Sequence, residues 1–156
     1  MASKRFEFRL ERVREMREKA EDEAKEQLAT ALAERERWVQ ERDEASRSLV
    51  RARRAQRSAA VGGGISIAEM MAHQSFLERT ERTEKAVEMD LSRQEQEVAA
   101  RRAALVRAAQ ERQVLDKLRE KAERTHRAGL ARAEAAMIDE LALNAHRRRV
   151  TGGGGA

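Results

Sequence analysis

The sequence has no cysteine, no proline and no tyrosine, and only 3% of its residues are aromatic. Without cysteine there is no disulfide framework, and a reducing compartment is the expected setting. Without proline, no residue lacks the backbone N–H or clashes with the preceding turn, so no residue forces a helix to stop. So few aromatics in 156 residues leave little bulk with which to fill a globular core. No apolar run approaches the ~18 residues of a membrane span. The opening MASKRFEFRLERVRE has no apolar h-region, and its acidic residues argue against a transit peptide. The expectation is a soluble cytoplasmic chain.

What is present points to helix. Charged residues make up 39% of the chain and mean hydropathy is -0.82. Ala, Glu, Arg, Leu and Gln dominate, as they do in long helices and coiled coils. High charge and low hydropathy also mark disordered chains. Regular apolar spacing and the missing prolines argue against that reading.

The pattern breaks once, at AAVGGGISIAEM, residues 59–70. Gly62, Gly63 and Gly64 remove the helix preference and admit positive φ. Ser66 and Glu69 then form the S-x-x-E of a capping box, with Ile65 and Met70 at the staple positions. The glycines therefore read as a turn between two helices. The expected division is a first coiled-coil helix over 1–60, a turn over 61–65, a second helix over 66–148 and a disordered tail over 149–156.

In the second segment, positions 70, 77, 84, 91, 98, 105 and 112 give Met, Leu, Glu, Leu, Val, Leu and Arg, a heptad seam. A weaker track runs through His73, Thr80, Val87, Gln94, Arg101, Ala108, Leu115 and Ala122. Past Leu115 the apolar set shifts to Leu118, Ala122, Leu130, Ala133, Met137 and Leu141, a drift that signals a change of partner. In the first segment Phe6, Leu10, Val13, Ala20, Ala24, Ala31, Trp38, Ala45 and Ala52 fall on one stripe, whose small residues allow close approach. Glu15/Lys19, Glu21/Lys25, Glu78/Arg82 and Glu81/Lys85 are spaced for i,i+4 ion pairs.

The fold expected is all-α: a long antiparallel two-helix coiled-coil hairpin with arms of about 75–80 Å. Paired residue numbers should sum to about 126, to within one helical turn. Leu49 then faces Leu77, Trp38 faces Val87, and Leu10 lies near Leu115. From about residue 122 the second helix outruns the first, yet it still carries Leu130, Met137, Ile138 and Leu141. An unpaired apolar stripe of this kind is a docking surface for another protein, or for a second copy.

Catalytic chemistry is not encoded. The histidines His73, His126 and His146 are too scattered for a metal site on a rod. His73 lies on the weak track, and the other two in polar surroundings. VGGGIS lacks the GK[ST] of a P-loop, so no nucleotide cofactor is expected. The carboxylates have no pocket in which to be tuned. A net charge of +5 raises nucleic acid as a partner, and residues 45–68 hold Arg47, Arg51, Arg53, Arg54 and Arg57 with no acid. Arg147 to Arg149 form a second basic cluster. Without aromatic interleaving, however, specific nucleic-acid binding is not expected, and a basic tip meeting an acidic protein surface is favoured.

The run FEFRLERVREMREKAEDEAKEQLA resembles the opening of the flagellar FliJ family, F-x-F-x-L-E-x-V, matched at Phe6, Phe8, Leu10, Glu11 and Val13. The restart GGGISIAEMMAHQSFLERT resembles the family's second helix, with an aromatic–Leu pair at Phe76 and Leu77. It departs at His73, where members often carry Tyr. AEAAMIDELALNAHRRR resembles the closing pattern at Asp139, Glu140, Leu141 and Ala142.

The resemblance implies a non-enzymatic component of the flagellar type III export apparatus. Such proteins are similar to the coiled coil of the F-type ATPase γ subunit. The resemblance further implies a stalk in the hexameric export ATPase that also contacts the cytoplasmic domain of the export gate and export chaperones. Association with the inner membrane at the flagellar base would run only through those partners. It places Phe6, Phe8, Leu10, Val13, Leu130, Met137 and Leu141 against the ATPase ring, and Phe76 and Leu77 at the gate. Phe76 has an alternative place in the seam against Leu49, but adjacent residues cannot both enter a two-helix seam. The competing classes are a scaffold or stalk protein of a virulence-type secretion system and a basic nucleic-acid-binding hairpin.

Overall fold

The computed structural model of the chain describes residues 5–152. Two helices, α1 (Glu11–Val61) and α2 (Ile67–Gly152), pack against each other as an antiparallel hairpin, with no strand among the described residues.

The turn is built as the sequence implies. Gly62 N–H still donates to the Ser58 carbonyl at 3.1 Å, closing α1. Gly63 and Gly64 then take φ of 60° and 103°, where an L side chain is strained. Ser66 opens α2 as its N-cap: its Oγ accepts from Glu69 N–H at 3.2 Å, and its own N–H donates to Glu69 Oε2 at 2.9 Å. This is the reciprocal capping box. Met70 remains 57% exposed, so a staple with Ile65 covers little of it.

The chain separates into two compact units, Lys19–Ala108 and Met1–Glu18 with Ala109–Ala156. In the first, the alanine stripe faces inward. Ala31, Ala45 and Ala52 are buried, and Ala24 and Trp38 half-buried. From α2 the heptad positions Leu91 and Val98 are buried, with Leu77, Glu84 and Leu105 half-buried beside them. The weak track also faces the seam, and its polar members find partners. Gln94 Nε2 donates to the Ala31 carbonyl at 3.0 Å, Arg101 Nη1 to Gln27 Oε1 at 2.6 Å, and buried Thr80 Oγ1 to the Phe76 carbonyl at 2.9 Å. No buried side-chain N or O atom among the described residues lacks a partner.

Cross-seam pairs in this unit, such as Arg35–Glu95 and Gln56–Gln74, have residue numbers summing to about 130. The difference from 126 is within one helical turn. A turn over 62–66 instead of 61–65 accounts for two of those four, since each residue of displacement shifts the sum by two. Of the i,i+4 pairs, Glu21–Lys25 (3.1 Å) and Glu78–Arg82 (3.6 Å) form. Glu81 instead reaches across the seam to Arg53 at 3.1 Å.

In the second unit the chain departs from expectation at its start. Residues 5–10 are not helical, and α1 begins at Glu11 rather than residue 1. Phe6 and Phe8 are half-buried while Arg5, Glu7 and Arg9 are exposed, the two-residue alternation of an extended strap. Leu10 and Val13 do not enter the seam; each is 40% exposed. Glu11 and Arg14 occupy that face. Arg14 Nε contacts Glu11 Oε1 at 2.9 Å and its Nη1 contacts Asp116 Oδ1 at 3.4 Å, while Arg119 Nε lies 3.4 Å from Glu11 Oε2. The hydrogen bond to Glu11, more than any other contact, holds the Arg14 pKa above its ordinary value.

At its far end α2 runs on to Gly152 rather than stopping at 148, because nothing before the terminal glycines breaks it. Arg149 in the last turn complements the helix dipole. The rest of the expected disordered tail, residues 153–156, lies outside the described residues.

Candidate partner-binding surfaces

An extended chain advances about 3.3 Å per residue against 1.5 Å in a helix. The strap over residues 5–8, which leads into α1 through a turn at Arg9 and Leu10 closed by the Glu11 N–H donating to the Phe8 carbonyl at 3.0 Å, therefore reaches further along α2 than a helix of the same residues. Phe6 reaches His126, with ring centroids 5.6 Å apart at 49°. An open groove of about 900 Å³ runs between the strap and α2, lined by Phe6, Leu118, Ala122, Thr125 and His126. Two expectations change as a result. His126 has an aromatic ring tilted against it besides polar neighbours such as Lys121 and Thr125, and the overhang of α2 begins near residue 131 rather than 122.

Beyond that point every described residue from 131 to 150 is exposed. Met137 is 54% and Leu141 58% accessible, and Ile138 and Leu143 are similarly bare. Leu130, one turn before, is half-buried. Of the residues assigned to a ring contact, Leu10, Val13, Met137 and Leu141 are thus accessible, whereas Phe6, Phe8 and Leu130 are partly covered within the chain. Sequence reasoning missed Met16 and Leu143 as contact candidates, and counted Ile138 in the unpaired stripe without assigning it to the ring. Their exposure follows from helical phase, which could have been read once the seam was fixed.

In the unit Lys19–Ala108, Phe76 and Leu77 separate as adjacent residues on a helix must. Leu77 turns into the seam, and Phe76 stays 48% exposed over a shallow groove with Ala45, Ser48 and Thr83. The basic stretch at the turn is partly neutralised. Arg51 pairs with Glu44 at 2.7 Å, Arg47 with the same carboxylate at 3.2 Å, and Arg53 with Glu81. Arg54 and Arg57 have no acidic partner among the described residues. Arg51 holds the Glu44 pKa below its ordinary value, chiefly through its hydrogen bond. The Ser66 backbone N–H does the same for Glu69, with His73 adding a smaller effect. Both shifts come from exposed structural contacts, and no group of three His, Cys, Asp or Glu able to hold a metal is found among the described residues. No described helix is long and apolar enough to cross a membrane.

A family model described as "Flagellar FliJ protein" matches residues 6–151. The chain belongs to the FliJ family. The match takes in both helices, the glycine turn, the Phe6–Phe8 strap and the exposed end of α2. FliJ-family membership makes the chain a protein associated with flagellar type III protein export. No curated protein and no solved structure matches the chain.

Proposed function

We propose that this chain is a central stalk of the hexameric flagellar export ATPase, coupling it to the export gate and to export chaperones at the inner membrane. The observation that carries the proposal is the bare end of α2. A lone helix with Met137, Ile138, Leu141 and Leu143 in water gains about 25 cal/mol for each Å² of apolar surface covered by a partner. A ring of subunits with an apolar central channel would supply that cover. Leu10 just before α1, with Val13 and Met16 on it, adds accessible apolar surface, and the strap holds Phe6 and Phe8 close to α2. Phe76 is the candidate gate contact, while Leu77 stays in the seam. Contact with the membrane would be indirect, through these partners.

The test is reconstitution with the purified export ATPase. The full chain should promote ring assembly and raise ATP hydrolysis, and a chain ending at Leu130 should do neither while keeping the fold of the unit Lys19–Ala108. An ATPase whose oligomeric state and rate ignore the full chain would refute the stalk role. Phe76→Ala should weaken binding to the gate's cytoplasmic domain without affecting the ATPase; unchanged gate binding removes that assignment.

A further inference from the structure

Two exposed surfaces have complementary chemistry. On α1, Val50, Arg54, Arg57 and Val61 recur at i, i+4, i+7 and i+11, a single outward stripe near the turn. Val50 and Val61 are accessible, and neither arginine has an acidic partner among the described residues. Residues 45–68 contain no Asp or Glu at all. On the bare end of α2, Met137 and Leu141 form the middle of a stripe flanked by Glu134 on one side and Glu140 on the other. No Lys or Arg occurs from residue 133 to 146. Neither glutamate has an ion pair or hydrogen bond among the described residues. One surface is cationic with apolar ends, the other apolar with anionic edges.

We infer that these two surfaces dock on each other between copies of the chain, head to tail. Both are exposed in the chain, so each is open to its complement on a second molecule. The aliphatic stems of Arg54 and Arg57 can lie over Met137 and Leu141 while their guanidinium groups reach the flanking carboxylates of Glu134 and Glu140. An antiparallel crossing satisfies the register, because Arg54 then meets the segment around Glu140 and Val61 the segment around Glu134. The contact is heterologous, so two copies joined by it still present one free head and one free tail to which further copies add. Three helical turns from each partner make a contact smaller than the roughly 1,200 Å² of stable complexes. Association is therefore weak, concentration-dependent and suppressed by salt.

The tail face is the one assigned above to the ATPase, but the inference is read on the isolated chain and does not need that assignment. Sedimentation velocity of the purified full chain, from micromolar to several hundred micromolar, gives the test. In low salt the average mass should climb past that of a dimer with concentration, and high salt should return it to a monomer. R54E/R57E and E134R/E140R should each lower the association constant at least about tenfold, while retaining full helicity because all four positions are exposed. Mixing the two variants should restore association, since each then offers what the other lost. Three results would overturn the inference: a monomer at every concentration in low salt, association that both variants retain, or a mass that stops at two.

Discussion

Leu49 is the most deeply covered apolar side chain in the hairpin seam, at 3% exposure. Its replacement by alanine should therefore be the most damaging simple truncation in the unit Lys19–Ala108. Buried Leu→Ala changes cost about 2–5 kcal/mol, the larger values arising where a sealed cavity remains. Here the seam residues on α1 one turn either side are Ala45 and Ala52, too short to refill the space. A two-helix seam is also open to water along both edges, so no sealed void is left. The expected loss is thus about 2–3 kcal/mol. For a chain of this size that corresponds to a fall in Tm of about 5–10 °C. Thermal and urea unfolding followed by circular dichroism at the helix band would measure it. Met16→Ala is the control: Met16 is 68% exposed and should change stability by less than about 0.5 kcal/mol. If Leu49→Ala and Met16→Ala were equally mild, the alanine–leucine seam would not be what holds the helices together.

The turn and its cap give further outcomes. Gly64→Ala should destabilise the hairpin by about 1–2 kcal/mol, because φ at Gly64 is 103°, whereas Gly62→Ala meets the Ser58 and Ala59 carbonyls at 3.4 and 4.0 Å, ordinary contacts, and should be near neutral; equal effects in a urea titration would contradict the turn geometry. Glu69 has its pKa lowered in the folded chain, so its contribution to the cap is complete above the ordinary carboxylate value of 4.5 and is lost as pH falls through the lower folded value. The Tm gap between the native chain and Glu69→Ala should accordingly be present at neutral pH and close on acidification below that value. A gap that stayed constant to strongly acid pH would remove the carboxylate from the cap.

Much of this fold was legible because the signals were local or periodic. Three glycines followed by S-x-x-E specify a turn and a helix start without reference to the rest of the chain. The heptad through Leu77, Leu91, Val98 and Leu105 fixed the inward face of α2 along the unit Lys19–Ala108. What was misread lay where two periodicities competed. Phe6, Leu10 and Val13 fit a helical stripe, but Phe6 and Phe8 also fit a two-residue alternation, and the extended form won as both rings became partly covered against α2. That choice moved the start of α1 to Glu11, turned Leu10 and Val13 outward, and lengthened the covered part of α2 as far as His126. The ionic substitution at that end, Glu11 and Arg14 with Asp116 and Arg119, had no sequence signal, because a charge-rich helix offers many alternative pairings. The partner-facing residues were legible as apolar positions left over from the seam. Which protein covers them is information the chain shares with its partners.

The account rests on the chain doubling back at its glycine turn, and a distance across the seam tests that most directly. The sequence has no cysteine, so Arg35→Cys with Glu95→Cys gives a clean doubly labelled chain. These positions form a cross-seam ion pair, with Nη2 and Oε1 3.6 Å apart. Pulsed electron spin resonance, with the labelled chain diluted in excess unlabelled chain, should return a single short distance of about 15–25 Å, as expected for labels on helices packed 8–10 Å apart. A continuous helix through residues 62–66 would place the same pair about 90 Å apart at 1.5 Å per residue, and the short distance would vanish on dilution.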